Sequence, residues 1–220
     1  MINNYKINIT AHAGCMNTRM DSIESVEAGI KYGADIIEID LNVDKDSKLV
    51  LSHDILKQGI EYPEFKRVLE MIKNQKDILL NVDVKNTVMI RWLKNVISAY
   101  ELLDRVFLTG LTLDDIILNK EFLNGINYFI NIEIFDLENI QPEKLINELD
   151  ALNVLGININ HKLVTPELIT ACKEKKMLIF VWTVDEVEDM EKLIEFKVNS
   201  ITTNRVDVLK NKISEMPIKI

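Results

Sequence analysis

Cysteine is almost absent from this chain: Cys15 and Cys172 are the only two in 220 residues, and they lie far apart. They form neither a metal-type pair nor a disulfide framework, which excludes a disulfide-stapled secreted scaffold. A reducing cytoplasm is the expected compartment. No apolar run approaches the ~20 residues of a membrane-spanning helix. The opening Met1-Ile2-Asn3-Asn4-Tyr5-Lys6 has no long apolar stretch behind a basic start, so no signal peptide is expected. Basic charge is in the minority, with 26 Lys and Arg against 35 Asp and Glu and a net charge of −9. That argues against a protein that grips a nucleic-acid backbone. It leaves room for a small anionic substrate, because a bound cation and one well-placed lysine reverse a local potential. Glycine is also scarce, at 7 of 220, and no Gly-x-Gly-x-x-Gly turn is present. No low-complexity linker or break in composition divides the chain.

What is abundant is apolar character, 47% of residues, arranged in short runs rich in Ile, Val and Leu. Eight such runs have the look of buried parallel strands: Ile7–His12, Ile36–Val43 (with Leu49–His53 as a short continuation), Ile78–Val84, Val106–Leu111, Tyr128–Ile134, Val154–Asn160, Met177–Val184 and Ser200–Asn204. Helix-like stretches separate them: Ser22–Tyr32, Pro63–Lys73, Thr87–Tyr100, Thr112–Leu118, Pro142–Leu149, Pro166–Lys175, Glu186–Phe196 and Val206–Ile213. Pro63, Pro142 and Pro166 sit at or near helix starts, where a missing N–H costs little. Strand–helix alternation eight times over is the pattern of an α/β fold, a single (β/α)8 TIM-type barrel spanning residues 1–220. The competing architecture is an open doubly wound sheet. It usually has fewer strands and a glycine-rich first turn, and His12-Ala13-Gly14 is not such a turn.

The ionisable residues cluster at the ends of the β runs. Glu38 and Asp40 are two apart and so face one side of their strand, as do Asn81, Asp83 and Lys85 on the next. Carboxylates on strands otherwise made of Ile, Leu and Val need partners or a metal. Glu38, Asp40 and Asp83 would offer three hard oxygen ligands, suited to Mg²⁺ or Ca²⁺ rather than zinc. The alternative is a set of salt bridges, such as Asp83 with Lys85, plugging the barrel mouth. His12 and His53 each end a strand, and two imidazoles beside that acidic set suit general acid and base work at neutral pH. His161 follows the sixth strand with no evident partner and reads as a loop residue.

The order of these motifs resembles the glycerophosphodiester phosphodiesterase family. The residues that carry the resemblance are His12-Ala13-Gly14, then Gly33-Ala34-Asp35-Ile36-Ile37-Glu38-Ile39-Asp40, then His53-Asp54. Further on, Asn81-Val82-Asp83-Val84-Lys85 is similar to the family's Glu-x-Lys strand, Phe180-Val181-Trp182-Thr183-Val184-Asp185 to its Trp-Thr-Val segment, and Ile201-Thr202-Thr203-Asn204-Arg205 to its closing Thr-Asn-Arg. The match is collinear from Ile9 to about Leu209. The resemblance implies a barrel hydrolase that cleaves phosphodiesters with a divalent cation. Glu38, Asp40 and Asp83 would hold the metal, His12 and His53 would form the acid–base pair, Lys85 would touch the phosphate, and Trp182 would line the substrate cleft unless it is a core aromatic of the seventh strand. The partner would be a small-molecule phosphodiester, a glycerophosphodiester or a related lysolipid-type diester.

Departures accompany the resemblance. The family's His-Arg-Gly has Ala13 in place of Arg, and its Glu-Asn-Thr corresponds to Met20-Asp21-Ser22. The missing Arg and Glu would make a pair in relatives, and the loss of one favours the loss of the other. Arg19 is a candidate replacement for the guanidinium. The third acidic ligand is Asp83 rather than Glu, which retracts the carboxylate by about one methylene. Only Ile55–Tyr62 separates His53-Asp54 from the helix at Pro63, so the insertion that covers the cleft in relatives is reduced or absent and an open site is expected. Ala13 and Met20 leave a second reading, a weakly active or inactive relative that binds a phosphorylated small molecule. A third, an unrelated barrel isomerase with a phosphate site after strands seven and eight, would prefer a glycine-rich eighth loop, and Thr202-Thr203-Asn204-Arg205 has no glycine.

Overall fold

The computed structural model describes residue 2 and residues 6–152 and 154–215. Most of the opening stretch considered for a leader, residues 1 and 3–5, and the last five residues of the expected 1–220 domain lie outside the described residues. The strands are β1 (Asn8–Ala11), β2 (Ile36–Val43), β3 (Leu49–Leu51), β4 (Leu79–Val84), β5 (Val106–Leu111), β6 (Asn127–Ile132), β7 (Gly156–Asn160), β8 (Leu178–Trp182) and β9 (Ser200–Thr203). All but β3 are parallel, each hydrogen-bonded to its neighbour in the order β1-β2-β4-β5-β6-β7-β8-β9, and β9 returns to β1. The sheet is therefore a closed eight-stranded parallel barrel. With helices on its outside it is the (β/α)8 fold that the alternation implied.

Strand alternation sorts the side chains into two cores. Residues of odd parity on β2, such as Ile37, Ile39 and Leu41, and their counterparts on other strands pack outward against the helices in the main hydrophobic cluster. The opposite parity points into the barrel. At its floor Ile36, Leu79, Phe107, Phe129 and Phe180 form a separate cluster. The three rings lie with centroids 4.3 to 5.5 Å apart, in tilted and edge-on arrangements that aromatic quadrupoles favour. Two residues further along the same strands the inward positions turn polar: Glu38, Asn81, Thr109, Asn131 and Trp182. The phenylalanine floor thus closes one end, and the C-terminal strand ends carry polar groups at the other.

The helices are α1 (Ile23–Tyr32), α2 (Phe65–Lys73), α3 (Ile90–Ala99), α4 (Leu113–Leu118), α5 (Lys120–Leu123), α6 (Ile134–Asn139), α7 (Pro142–Asp150), α8 (Pro166–Glu174), α9 (Val187–Phe196) and α10 (Val206–Glu215). Their starts follow capping chemistry. Ser22 accepts the Ser25 N–H ahead of α1, and Thr112 and Asp115 form a reciprocal capping box on α4. Pro142 and Pro166 open α7 and α8. Among the described residues, no helix is long and apolar enough to cross a membrane.

Three details differ from the expected elements. Leu49–Leu51 is not a continuation of β2 but an antiparallel return on it, with Leu41 opposite Leu51 and Val43 opposite Leu49. The reversal is built at Asp44, whose Oδ1 accepts the N–H groups of Asp46 and Lys48, with Ser47 in the left-handed region. The expected run Tyr128–Ile134 ends as a strand at Ile132, the last residue of β6, and Ile134 opens α6 instead of extending it. The short α5 and α6 had no counterpart in the apolar pattern, because helices of this length carry too little periodicity to read. The connection from β3 to α2, residues 52–64, contains no helix, in keeping with a shortened segment after His53.

Candidate functional site

A cavity of about 320 Å³ opens at the C-terminal ends of the barrel strands. It is lined by all seven residues singled out in the sequence: His12, His53, Glu38, Asp40, Asp83, Lys85 and Trp182. His12 follows β1, Glu38 and Asp40 lie on β2, Asp83 on β4 with Lys85 just beyond it, and Trp182 ends β8. His53 arrives from the loop after β3. Parallel register explains the acidic grouping. Asp40 pairs with Asp83 across β2 and β4, and Glu38 pairs with Asn81, so one strand offset places the three carboxylates together. One oxygen from each of Glu38, Asp40 and Asp83 lies within 4.8 Å of the others, a spacing a single ion can bridge.

This grouping is electrostatically uneven. Glu38 is 7% exposed and Asp40 2%. Burial, and then the charges of Asp40 and Asp83, push the Glu38 carboxyl well above its ordinary range, although the Ala13 N–H donates to its Oε2 at 2.7 Å. Burial also raises Asp40, with Lys85 pulling the other way and Asp21 adding to the rise. Lys85 lies between the carboxylates, its Nζ 2.9 Å from Asp40 Oδ1 and 2.5 Å from Asp83 Oδ2. Burial opposes the ammonium, but Asp83 and Asp40 outweigh it and hold its affinity for the proton above the usual lysine value. The salt-bridge alternative is therefore present in part: one lysine is shared between two acids, and Glu38 has only the Ala13 amide and a more distant Lys85 charge. Among the described residues, Asp40 Oδ2 is buried with no hydrogen-bond partner.

Asp83 is held by its neighbours. Its Oδ1 accepts from the Thr109 hydroxyl at 2.9 Å, and the same hydroxyl is 2.9 Å from Asn81 Oδ1. Gly110 adopts φ 77°, and a Cβ there would stand 2.6 Å from Asp83 Oδ1 and 2.7 Å from the Val84 carbonyl, so only glycine fits beside this carboxylate.

The two histidines are supported differently. His12 Nδ1 lies 3.0 Å from Asn204 Oδ1, which can only accept, so Nδ1 carries a proton and in the neutral ring the lone pair is on Nε2. Asn204 is fixed in turn by Asp185, which accepts its side-chain N–H and its backbone N–H at 2.8 Å each. His53 is 55% exposed in its side chain, and its Nδ1 is 3.0 Å from the largely exposed Asp54 carboxylate. The Trp182 ring is half-buried, with Nε1 buried and, among the described residues, lacking a hydrogen-bond partner.

Some of the site was not visible in the sequence reading. Asn131, Glu133, Asn158, Thr183 and Thr202 also line the cavity. Asn131 and Asn158 stand at inward positions of β6 and β7, and the parity rule applied to asparagines as well as acids would have found them. His161 does have partners: Nδ1 donates to the Trp182 carbonyl at 3.2 Å and Nε2 is 3.4 Å from Asp189. It pins the end of β8 rather than lying idle in a loop. Arg19 does not reach the cavity. It lines a separate groove together with Glu24, Glu61, Glu64 and Tyr62. It is not the replacement for the absent arginine.

The model of the glycerophosphoryl diester phosphodiesterase family matches the chain over residues 12–61 and 55–208. The chain belongs to this family. The two matched segments meet in the connection between β3 and α2, the stretch that is short here. A glycerophosphodiester phosphodiesterase of Caldanaerobacter subterraneus subsp. tengcongensis is 25% identical over 92% of this chain and 96% of its own length. A solved glycerophosphodiester phosphodiesterase of Parabacteroides distasonis superposes with a TM-score of 0.81 at 21% identity, covering 95% of this chain and 97% of that one. An Oleispira antarctica phosphodiesterase, solved with the product sn-glycerol-3-phosphate, superposes with a TM-score of 0.77 at 14% identity over 96% of this chain and 98% of that one. At those identities the two structures speak to the fold. As a family member the chain is a phosphoric diester hydrolase. Relative to the family's usual motifs, Ala13 replaces an arginine and its amide serves Glu38, while Met20 lies over Gly14, where an added Cβ would come within 2.9 Å of Met20 Cγ.

Proposed function

We propose that this glycerophosphodiester phosphodiesterase family member hydrolyses glycerophosphodiesters or related lysolipid-type diesters to an alcohol and a phosphomonoester. The observation that carries the reading is the convergence of three inward carboxylates and two histidines on one cavity at the barrel mouth. The product found in the Oleispira antarctica relative, sn-glycerol-3-phosphate, is a phosphomonoester of the expected kind. The two thiols are buried and unpaired, in keeping with work in the cytoplasm.

The residues present fit a divalent cation. The donors are all carboxylate oxygens, the set preferred by Mg²⁺ or Ca²⁺, and Asp40 Oδ2 is buried with its acceptor capacity unused. Glu38, Asp40 and Asp83 would hold it. Such an ion supplies positive charge against the non-bridging phosphate oxygens. The protein's own groups do the rest. Asn204 holds the neutral His12 ring in the tautomer with a bare Nε2, which suits it to take the proton of an attacking water; where a substrate hydroxyl attacks instead, the cyclic diester so formed is opened by water in a second step to give the phosphomonoester. His53, with Nδ1 against the Asp54 carboxylate, is placed to give a proton to the leaving alkoxide as the bond from phosphorus to that oxygen breaks. The proton removed at one side is matched by the one supplied at the other, so the site is ready for another turnover once the two histidines exchange protons with water. The Lys85 ammonium offers the phosphate a positive partner, and the half-buried Trp182 ring lines the cavity wall.

The test is hydrolysis of a panel of glycerophosphodiesters carrying choline, ethanolamine, inositol or an acylated glycerol. Each is run with Mg²⁺, Ca²⁺ or EDTA, with His53→Ala as control. Cation-dependent turnover that falls at least 100-fold in the variant supports the reading and names the alcohol. Absence of turnover from folded protein across the whole panel overturns it.

A further inference from the structure

The exposed aliphatic side chains of this protein are unevenly placed. Met20, Ile55, Ile60, Val88, Leu113 and Ile134 all face water, from 44% exposed at Leu113 to 89% at Ile55. Each follows the C-terminal end of a strand: Met20 after β1, Ile55 and Ile60 after β3, Val88 after β4, Leu113 after β5 and Ile134 after β6. β3 returns on β2, and β1, β2, β4, β5 and β6 are consecutive in the barrel, so these side chains succeed one another around one sector of its mouth. Ile117 and Leu118 continue the exposed surface along α4 from Leu113. The remaining sector is different. Between β7, β8, β9 and the helices behind them the exposed residues are Lys162, Thr165, Glu186 and Arg205, and among the described residues no large apolar side chain is exposed there. The exposed rings elsewhere, Tyr32 and Phe122, each have a cation beside them, Lys31 and Arg91. One exposed apolar residue means little, but a sector of them at the lip of a binding cavity marks a contact surface.

Two further observations say what that surface meets. A groove of about 990 Å³, lined by Ile55 and Ile60, reaches Lys85, which also lines the catalytic cavity, so the apolar sector and the site are continuous. The segments that carry these side chains are also acidic: exposed Asp54, Glu61, Asp114 and Glu133 stand against Arg19 and Lys57. Carboxylates mixed with aliphatic side chains complement a layer whose outermost groups are cationic and whose interior is apolar. We propose that this sector rests on the surface of choline- or ethanolamine-headed lipid aggregates, from which the enzyme takes acylated diesters in preference to water-soluble glycerophosphodiesters. The proposal rests on the phosphodiesterase reading above. The aliphatic side chains enter the headgroup layer, the carboxylates meet the ammonium groups, and the cavity faces the phosphodiesters. Such contact lies on a surface and needs no spanning helix. An anionic surface is repelled by the same carboxylates and by the net charge of −9.

Surface binding is measured apart from turnover. The whole protein is sedimented with phosphatidylcholine vesicles and with phosphatidylglycerol vesicles, as wild type and as the combined variant Ile55→Ser, Val88→Ser and Leu113→Ser, with thermal melts to establish folding. Wild type is expected to bind phosphatidylcholine vesicles about 10-fold or more tighter than phosphatidylglycerol vesicles, and the variant to lose about 10-fold or more on phosphatidylcholine, because such binding scales with the apolar area buried. In turnover, kcat/KM on lysophosphatidylcholine micelles should fall about 10-fold in the variant while that on glycerophosphocholine stays within about twofold of wild type. Absence of wild-type binding to phosphatidylcholine vesicles, undiminished binding by the folded variant, or a preference for phosphatidylglycerol would overturn the inference, and hydrolysis of glycerophosphocholine would then leave the phosphodiesterase reading standing. Wild type that ignores vesicles but forms a dimer that the variant dissociates would overturn it in favour of a second copy of the chain. Vesicle binding that depends on these side chains, with no diester hydrolysed, would overturn the phosphodiesterase reading and support the surface contact alone.

Discussion

Glu38→Gln should make the cation-free protein more stable while destroying its function. The nearest oxygens of Glu38, Asp40 and Asp83 lie within 4.8 Å. Two unit charges at that distance interact by about 3.5 kcal/mol at an effective dielectric of ~20. Glu38 meets two like charges and gains back less than one such interaction from the more distant Lys85, a net repulsion of at least about 3 kcal/mol. Replacing the charge by an amide also weakens the bond from the Ala13 N–H, by about 1 kcal/mol. The remainder is a stabilisation of about 1–3 kcal/mol, or roughly 2–12 °C in Tm for a chain of this length. The pH dependence has a definite sign. Glu38 and Asp40 have carboxyls raised in the folded state, so their contribution is fully present below the ordinary carboxylate range and is lost as pH rises through the raised folded values. In EDTA, wild type should therefore lose stability on going from acidic to neutral pH by more than Glu38→Gln does. Added Mg²⁺ or Ca²⁺ should reverse the order, stabilising wild type and leaving the variant unmoved. The assay is urea unfolding across pH with chelator or cation. A Glu38→Gln variant less stable than wild type in EDTA at neutral pH would refute the argument, because Glu38 would then be a satisfied structural acid.

Three further outcomes follow from the geometry. Asn204→Ala should lower kcat by about 10- to 100-fold with a smaller change in KM, because it frees the His12 ring without removing it; steady-state kinetics on folded variant decides. Phe129→Ala takes one ring from the barrel floor, where the side chain is fully buried, and should cost about 3–5 kcal/mol in urea unfolding while leaving the specific activity of the folded protein near wild type. Burial pushes the Cys172 thiol up to about 12 and also raises Cys15, so neither should react with a thiol reagent at pH 8 until the protein is unfolded, as a labelling time course would show.

Much of this site could be read from the chain because a barrel strand converts spacing into direction. Glu38-x-Asp40 and Asn81-x-Asp83-x-Lys85 each keep one parity, so strand pairing alone brings them together. His12 and Trp182 were legible for the same reason, at the ends of short apolar runs. What escaped depends on contacts between loops. Nothing local in Met20-Asp21-Ser22 shows that Asp21 will accept the N–H of His53. Nothing in Thr203-Asn204-Arg205 shows that Asn204 will reach His12, whose position is set by the first strand. The misreading of Arg19 has the same origin. Arg19 lines a groove with residues of the β3–α2 connection, far along the sequence. The antiparallel return of β3 was hidden because an apolar triplet looks alike in either direction, and only the Asp44 turn reverses it.

The most direct measurement of the central claim is release of the phosphomonoester from a glycerophosphodiester by chelator-treated protein before and after cation is restored. The account predicts negligible turnover in EDTA and recovery on adding Mg²⁺ or Ca²⁺ to wild type, with no recovery in Asp40→Asn. Turnover that persists undiminished in EDTA, or that returns in Asp40→Asn, would contradict it.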